Sequence, residues 1–180
     1  MNEGLIPRRY AKALYKVDVE RSSTQRMFVL MNNLIGAFES EPRLSSAISN
    51  PFVEIDDKIK MLSTAASATD ADTTFADFLK LLVKNRRVDL IHSIALSYAD
   101  TYRRENNIRR VEVVSAAPFE QSVEKRIKQV IEQHLNGASM DFSTRVDADL
   151  IGGFIVNIDN GRLDASISNS FKQLRLSLLN

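Results

Sequence analysis

Four carboxylates, Asp147, Asp149, Asp159 and Asp164, crowd the last third of the chain, with a paired glycine, Gly152-Gly153, among them. Acids at that density could hold a hard cation or work as an acid/base pair, and paired glycines can let backbone N–H groups cradle a phosphate. Neither chemistry finds the rest of what it needs. No G-x-G-x-x-G or G-x-x-x-x-G-K-[ST] pattern is present, so the glycines read as a strand start with close backbone approach or a bulge. The acids flank apolar runs, where turns and caps use Asp. His92 and His134 are the only histidines, have no partner at metal-ligand spacing, and read as surface or helix-terminal residues. A G-x-S-x-G nucleophile turn is also missing. The expectation is a chain with no catalytic residues, cofactor or metal, and so not an enzyme.

Arg8-Arg9, Arg86-Arg87, Arg103-Arg104 and Arg109-Arg110 could touch RNA, but acids are interspersed and no aromatic stacking run accompanies them. With 24 Lys plus Arg against 23 Asp plus Glu, the net charge of +1 gives no long-range pull towards phosphate or anionic lipid. At 180 residues and 44% apolar content the chain can build one large domain or two small ones. Zero cysteines exclude a disulfide framework and thiolate metal sites, which suits a reducing compartment. The opening residues to Arg9 lack an apolar run of signal-peptide length, and no later window reaches the roughly 18 apolar residues of a membrane span. A soluble, bacterial cytoplasmic product is expected.

The elements that must position these residues change period partway along. Residues 1–105 read as six amphipathic helices with short connections, a bundle. Ile6, Tyr10, Ala13, Leu14 and Val17 share a face of the first, a mostly core stripe, with Pro7 in its first turn. The second follows Ser22-Ser23-Thr24 as N-cap and carries Met27, Leu30, Met31, Leu34, Ile35 and Phe38. A short third with Leu44 and Ile48 stops at Asn50-Pro51. Ile55, Ile59 and Leu62 mark a fourth, and 63–74 reads as a connection. The fifth groups Phe75, Phe78, Leu79 and Leu82 up to Asn85-Arg86-Arg87, and the sixth carries Val88, Ile91, Ile94, Ala95, Tyr98 and Tyr102. The fifth also bears Leu81 and Val83, and four apolar residues among 79–83 cannot all face inward. Surplus apolar surface of that kind marks a partner site.

From Arg109 to Ser115 the repeat is two, a strand that ends before Pro118. Residues 120–135 return to a helix, with Val123, Ile127, Val130, Ile131 and Leu135 on one side and Asn136-Gly137 as a left-handed cap. Strands follow at Met140 to Val146 and Ile151 to Ile158. Asp159-Asn160-Gly161 is a hairpin turn into a short strand at Arg162 to Asp164, and a last helix carries Ile167, Phe171, Leu174 and Leu178. The fold class is mainly α with a small α+β part: an amino-terminal six-helix bundle, 1–105, then a small α/β domain, 106–180.

Three patches resemble the family of the delta subunit of bacterial F-type ATP synthase and its mitochondrial relative, the oligomycin-sensitivity-conferring protein. Arg9 to Tyr15 is close to the family's Arg-x-Tyr-Ala-x-Ala-Leu. Phe78 to Arg87, with Ile94 and Tyr98 beyond, is similar to its apolar helix ending in Asn-x-Arg. The acidic turn, Leu150-Ile151-Gly152-Gly153-Phe154, a strand and Asp164-Ala165-Ser166 resemble its third signature. The chain departs from the family in Ala165, where Gly is usual, and in Ser168-Asn169-Ser170, where Val-Arg-x-Gln is frequent.

The resemblance implies a non-catalytic stator in the peripheral stalk, on the cytoplasmic face of the bacterial inner membrane without inserting in it. The helical domain would receive the amino-terminal helix of an alpha subunit in a groove built from its first and fifth helices. The α/β domain would engage the membrane-anchored b subunits. Tyr10, Ala13, Leu14, Phe78, Leu79, Leu82 and Val83 are the expected groove residues, which periodicity does not divide between groove and core. Gly152, Gly153 and Asp164 carry over as structural motif positions. The last helix, 166–179, is a further candidate for the stalk contact. A helical RNA-binding adaptor is the alternative reading.

Overall fold

The computed structural model describes residues 4–135, 137–159, 161–167 and 169 of the chain. Among the described residues are seven α-helices and a four-stranded sheet, so the protein is mainly helical with an α/β part. It divides into two compact units, Met1–Tyr102 and Arg103–Asn180, the division falling within the last turn of the helix Ile91–Glu105. No helix among the described residues is long and apolar enough to cross a membrane.

The first unit begins with α1 (Leu5–Glu20), which buries Pro7, Ala11, Leu14 and Asp18 at spacings of four and three, a single face. Pro7 lies within the first turn, where its missing N–H has no intrahelical acceptor to lose. This face is turned from the expected stripe: Ala13 is exposed and Val17 is 38% exposed. Then come α2 (Thr24–Ser40), α3 (Pro42–Ser49), α4 (Ile55–Ala66) and α5 (Thr73–Lys84). Residues Val88–Leu90 form a 3-10 turn rather than the start of a helix, and α6 (Ile91–Glu105) follows. Ser23 precedes α2 without capping it, because its hydroxyl donates to Asp18 Oδ1 at 2.9 Å. Helix α3 stops at Asn50, extended at ψ 121° as the following Pro51 requires. Helix α4 runs into the segment expected as a connection, since Ala66 is fully buried.

Two carboxylates tie this unit together across long stretches of sequence. Asp72 accepts from Arg26 Nε at 2.8 Å and Nη2 at 2.7 Å, and from the Thr69 N–H and hydroxyl at 2.8 and 3.0 Å. The Arg26 fork, aided by Thr69, holds its carboxyl well below the usual carboxylate range. Asp18 is fully buried and accepts from the Tyr98 hydroxyl at 2.8 Å, joining α1 to α6. Burial pushes the Asp18 carboxyl up, against the opposing pull of Tyr98, Ser23 and the Arg21 charge. A raised folded-state value means that the contribution of Asp18 to stability is full below the unfolded carboxylate range and is lost as pH rises through the folded value. Asp18→Asn keeps an acceptor for Tyr98 and removes the buried charge. Urea unfolding at acid and neutral pH is expected to show the wild type losing stability relative to this variant as pH rises. Asp18→Ala, which strands the Tyr98 hydroxyl, should cost about 1–3 kcal/mol at either pH.

The second unit is built on β1 (Ile108–Ser115), α7 (Gln121–His134), β2 (Ser139–Val146), β3 (Gly153–Ile158) and β4 (Gly161–Ser166), in sheet order β2-β1-β3-β4. Strands β1 and β2 are parallel, so α7 is the crossover that a parallel pair needs; the other pairings are antiparallel. Val111, Val113, Phe142 and Val156 share the sheet face that packs on Ile127 and Ile131 of α7. Val123 and Val130, expected on the packing side, are 42% and 51% exposed. They lie roughly 100° round the helix from the centre of its inward stripe. Strand β4 continues past Asp164 to Ser166, which pairs with Gly153. Gly137 at φ 83° follows α7 in the left-handed conformation expected there. Most of the last helix expected from the sequence lies outside the described residues.

Candidate functional site

In the first unit, α1 and α5 run antiparallel and leave an apolar groove of about 190 Å³ between them. On α1 it is lined by Tyr10, Ala13, Leu14, Val17 and Arg21; on α5 by Thr74, Asp77, Phe78 and Leu81. Leu14 and Phe78, each 5% exposed, are the floor; Val17 and Leu81, at 38% and 46%, are the walls. Each end is crossed by a hydrogen bond. Asn85 Nδ2 donates to the Tyr10 hydroxyl at 3.0 Å, and Arg21 Nη1 donates to Thr74 Oγ1 at 3.0 Å. The floor, walls and end bonds follow one spacing, 10-14-17-21 on α1 and 74-78-81-85 along α5 and the residue just past it, which is the i, i+4, i+7, i+11 phase of a single helical face.

The structure brings Tyr10, Ala13, Leu14 and Phe78 together in this groove. It does not bring Leu79 and Leu82, which are 1% and 0% exposed in the core alongside Phe75. Those three follow the inward stripe 75-79-82. Val83 is half-buried and lines no part of the groove. Val17, Arg21, Thr74, Asp77 and Leu81 are the lining positions left out of the expected set. Leu81 carried a signal in the sequence, as the surplus leucine in phase with Phe78.

The motif positions of the second unit sit where β3 and β4 pair. Gly153 has φ 80°, and a Cβ there would lie 2.4 Å from the Ala165 carbonyl oxygen of the neighbouring strand. Gly152 accepts from the Ile167 N–H at 3.0 Å, and its added Cβ would meet only the end of the Ile167 side chain. Hydrogen bonds from the Ser166 hydroxyl and N–H, with Arg162 beside them, hold the Asp164 carboxyl below its usual range. The Asp164 backbone carbonyl takes Asn169 Nδ2 at 3.1 Å. These contacts brace the turn that leaves β4. Of the remaining acids, Asp147 Oδ1 accepts from the Asp149 N–H at 3.1 Å, a turn contact, and Asp159 Oδ1 accepts from the Arg110 N–H of β1 at 3.0 Å, tying the turn after β3 to its neighbour strand. His92 packs on Phe38, and His134 Nδ1 lies 2.7 Å from the Val130 carbonyl.

Comparison with known proteins agrees over nearly the whole chain. The family described as ATP synthase delta (OSCP) subunit matches residues 6–178. ATP synthase subunit delta of Parabacteroides distasonis is 34% identical over 179 residues, covering 99% of this chain and 98% of that protein. Its counterpart from Bacteroides fragilis is 32% identical over 176 residues, covering 97% and 94%. Among solved structures, a chain of the Toxoplasma gondii mitochondrial ATP synthase hexamer superposes with a TM-score of 0.75 at 17% identity, covering 97% of each chain. At that identity the likeness is one of fold.

Proposed function

The chain belongs to the ATP synthase delta (OSCP) subunit family, and from that premise we propose that its task is to grip two partners at once. It is a non-catalytic stator subunit in the peripheral stalk of the F-type ATP synthase. The first unit, which we read as a bundle of six helices, binds the alpha/beta head by taking the amino-terminal helix of an alpha subunit into the α1/α5 groove. The second unit engages the b subunits of the membrane sector. The chain sits on the cytoplasmic face of the bacterial inner membrane, attached through the complex.

The observation that carries this reading is the groove itself. Ala13, Val17 and Leu81 present apolar surface to solvent along two parallel rims with a closed apolar floor. The rims run from Tyr10 to Arg21 on α1, about 16 Å or three helical turns, which suits one short amphipathic helix. A helix brings its own backbone hydrogen bonds, so it can bury apolar anchors without stranding polar groups, and buried anchors slow dissociation. Attachment at the second unit raises the effective concentration at the first. Mechanically, proton flow turns the rotor, and the head must be held still for torque to reach its catalytic sites. The RNA-binding adaptor finds no support in the family match.

Washed membranes depleted of this subunit test the proposal. Adding the purified chain is expected to restore ATP synthesis driven by a proton gradient and to co-purify alpha, beta and b subunits. Depleted membranes that couple as well as untreated ones, with their heads still attached, overturn it.

A further inference from the structure

The charge around the groove says what kind of helix fits. Helical spacing puts Arg9 and Lys16 beside Ala13, and Lys84 beside Leu81, while Arg21 stands in the groove at its far end. All four are exposed. Arg21 donates to the neutral Thr74 hydroxyl and lends its charge to buried Asp18 at a distance. None of the four forms an ion pair among the described residues. On the acidic side, among the described residues, Asp77 lines the groove and faces exposed Lys80 at 3.8 Å, and Glu20 stands one turn beyond Val17. The chain as a whole carries a net charge of +1, so this excess is local to the groove.

We infer that the groove selects a helix whose apolar stripe is edged by acidic side chains, with one carboxylate set to meet Arg21. This rests on the assignment of the groove to the alpha-subunit amino-terminal helix, and specifies the chemistry of that helix. The apolar floor has no directional preference, so it holds helices of many sequences with similar strength. Cations along the rims repel a basic-edged helix and speed the approach of an acidic one. A single carboxylate at the Arg21 end also sets the register, because a slip by one turn moves it by about 5.4 Å, out of reach of the guanidinium.

The test uses the full chain and a synthetic peptide of the first 25 or so residues of the alpha subunit from the same genome, a length enough to cover the groove with margin. Calorimetry is run from about 50 mM to about 500 mM salt, where screening shortens to a few ångströms. Affinity is expected to fall with salt. Lys16→Glu with Lys84→Glu, both at exposed positions, should weaken binding by about fivefold or more. Arg21→Met should do the same in part, and changing the peptide's acidic residues to Gln should cost the wild type more than it costs Arg21→Met. An affinity that ignores salt and stays within twofold in the double reversal overturns the inference while leaving the groove assignment intact. A wild-type chain that does not hold the peptide at all overturns both.

Discussion

On the groove assignment proposed above, replacing Ala13 with aspartate is expected to leave the fold unchanged and to weaken binding of an alpha-subunit amino-terminal helix. Ala13 is exposed on α1, so its side chain fills no core space, while Ala11 two positions away is fully buried. An aspartate at 13 would be hydrated in the free chain and would fold with it. In the complex it would meet the apolar stripe of the bound helix beside Leu14 and Phe78, and the cations in reach, Arg9 and Lys16 one turn away on α1, are exposed and pair only weakly. A charge desolvated against that stripe and so weakly paired costs about 1–3 kcal/mol, a loss of about 5- to 150-fold in affinity. Calorimetry with the same alpha-subunit peptide, beside circular dichroism melts of the free chains, separates the two effects. Equal affinity in a variant that melts with the wild type would take Ala13 out of the contact.

The second large effect lies at Gly153. A residue with a Cβ at φ 80° suffers about 1–2 kcal/mol of backbone strain. The added atom would also stand 2.4 Å from the Ala165 carbonyl and 2.9 Å from the Ser166 Cα, backbone atoms of the strand paired with it. Backbone in a ladder cannot step aside without breaking the pairing. Gly153→Ala is therefore expected to destabilise the second unit by about 3 kcal/mol or more. Amide exchange should locate the damage in β3 and β4. Gly152→Ala is the matched control, because its Cβ meets no backbone of the neighbouring strand and crowds only the Ile167 side chain, chiefly its flexible end at Cδ1. Alanine at 153 tolerated as well as alanine at 152 would refute the close-approach explanation of this pair.

The change from helices to strands is legible in the sequence because it is a change of period. Val111 and Val113 recur every second residue, whereas Phe75, Phe78, Leu79 and Leu82 recur at three and four. The division of α5 between core and groove is less so. Both 75-79-82 and 74-78-81-85 are valid helical faces, and only the packing of α5 against the rest of the helices selects which turns inward. Ala11 and Ala13 pose the same problem in miniature, since alanine has too little side chain to declare a side. Asp18 and Asp72 were invisible for another reason. Their partners, Tyr98 and Arg26, are 80 and 46 residues away, and no local pattern announces a pairing of that span. Within the expected cap Ser22-Ser23-Thr24, Ser23 makes no side-chain cap bond, and its hydroxyl donates instead to the other oxygen of the Asp18 carboxyl.

The two bonds that cross the groove, Asn85 to Tyr10 and Arg21 to Thr74, fasten the helices at either extremity of the apolar strip. The mould is thereby shaped during folding, and the conformational entropy of forming it is lost before any guest arrives. Only the incoming peptide has to order itself. For the peptide proposed to fill the groove, the asymmetry places the thermodynamic burden on the guest, so mutations that pre-coil the peptide should tighten the complex more than any that stiffen its host.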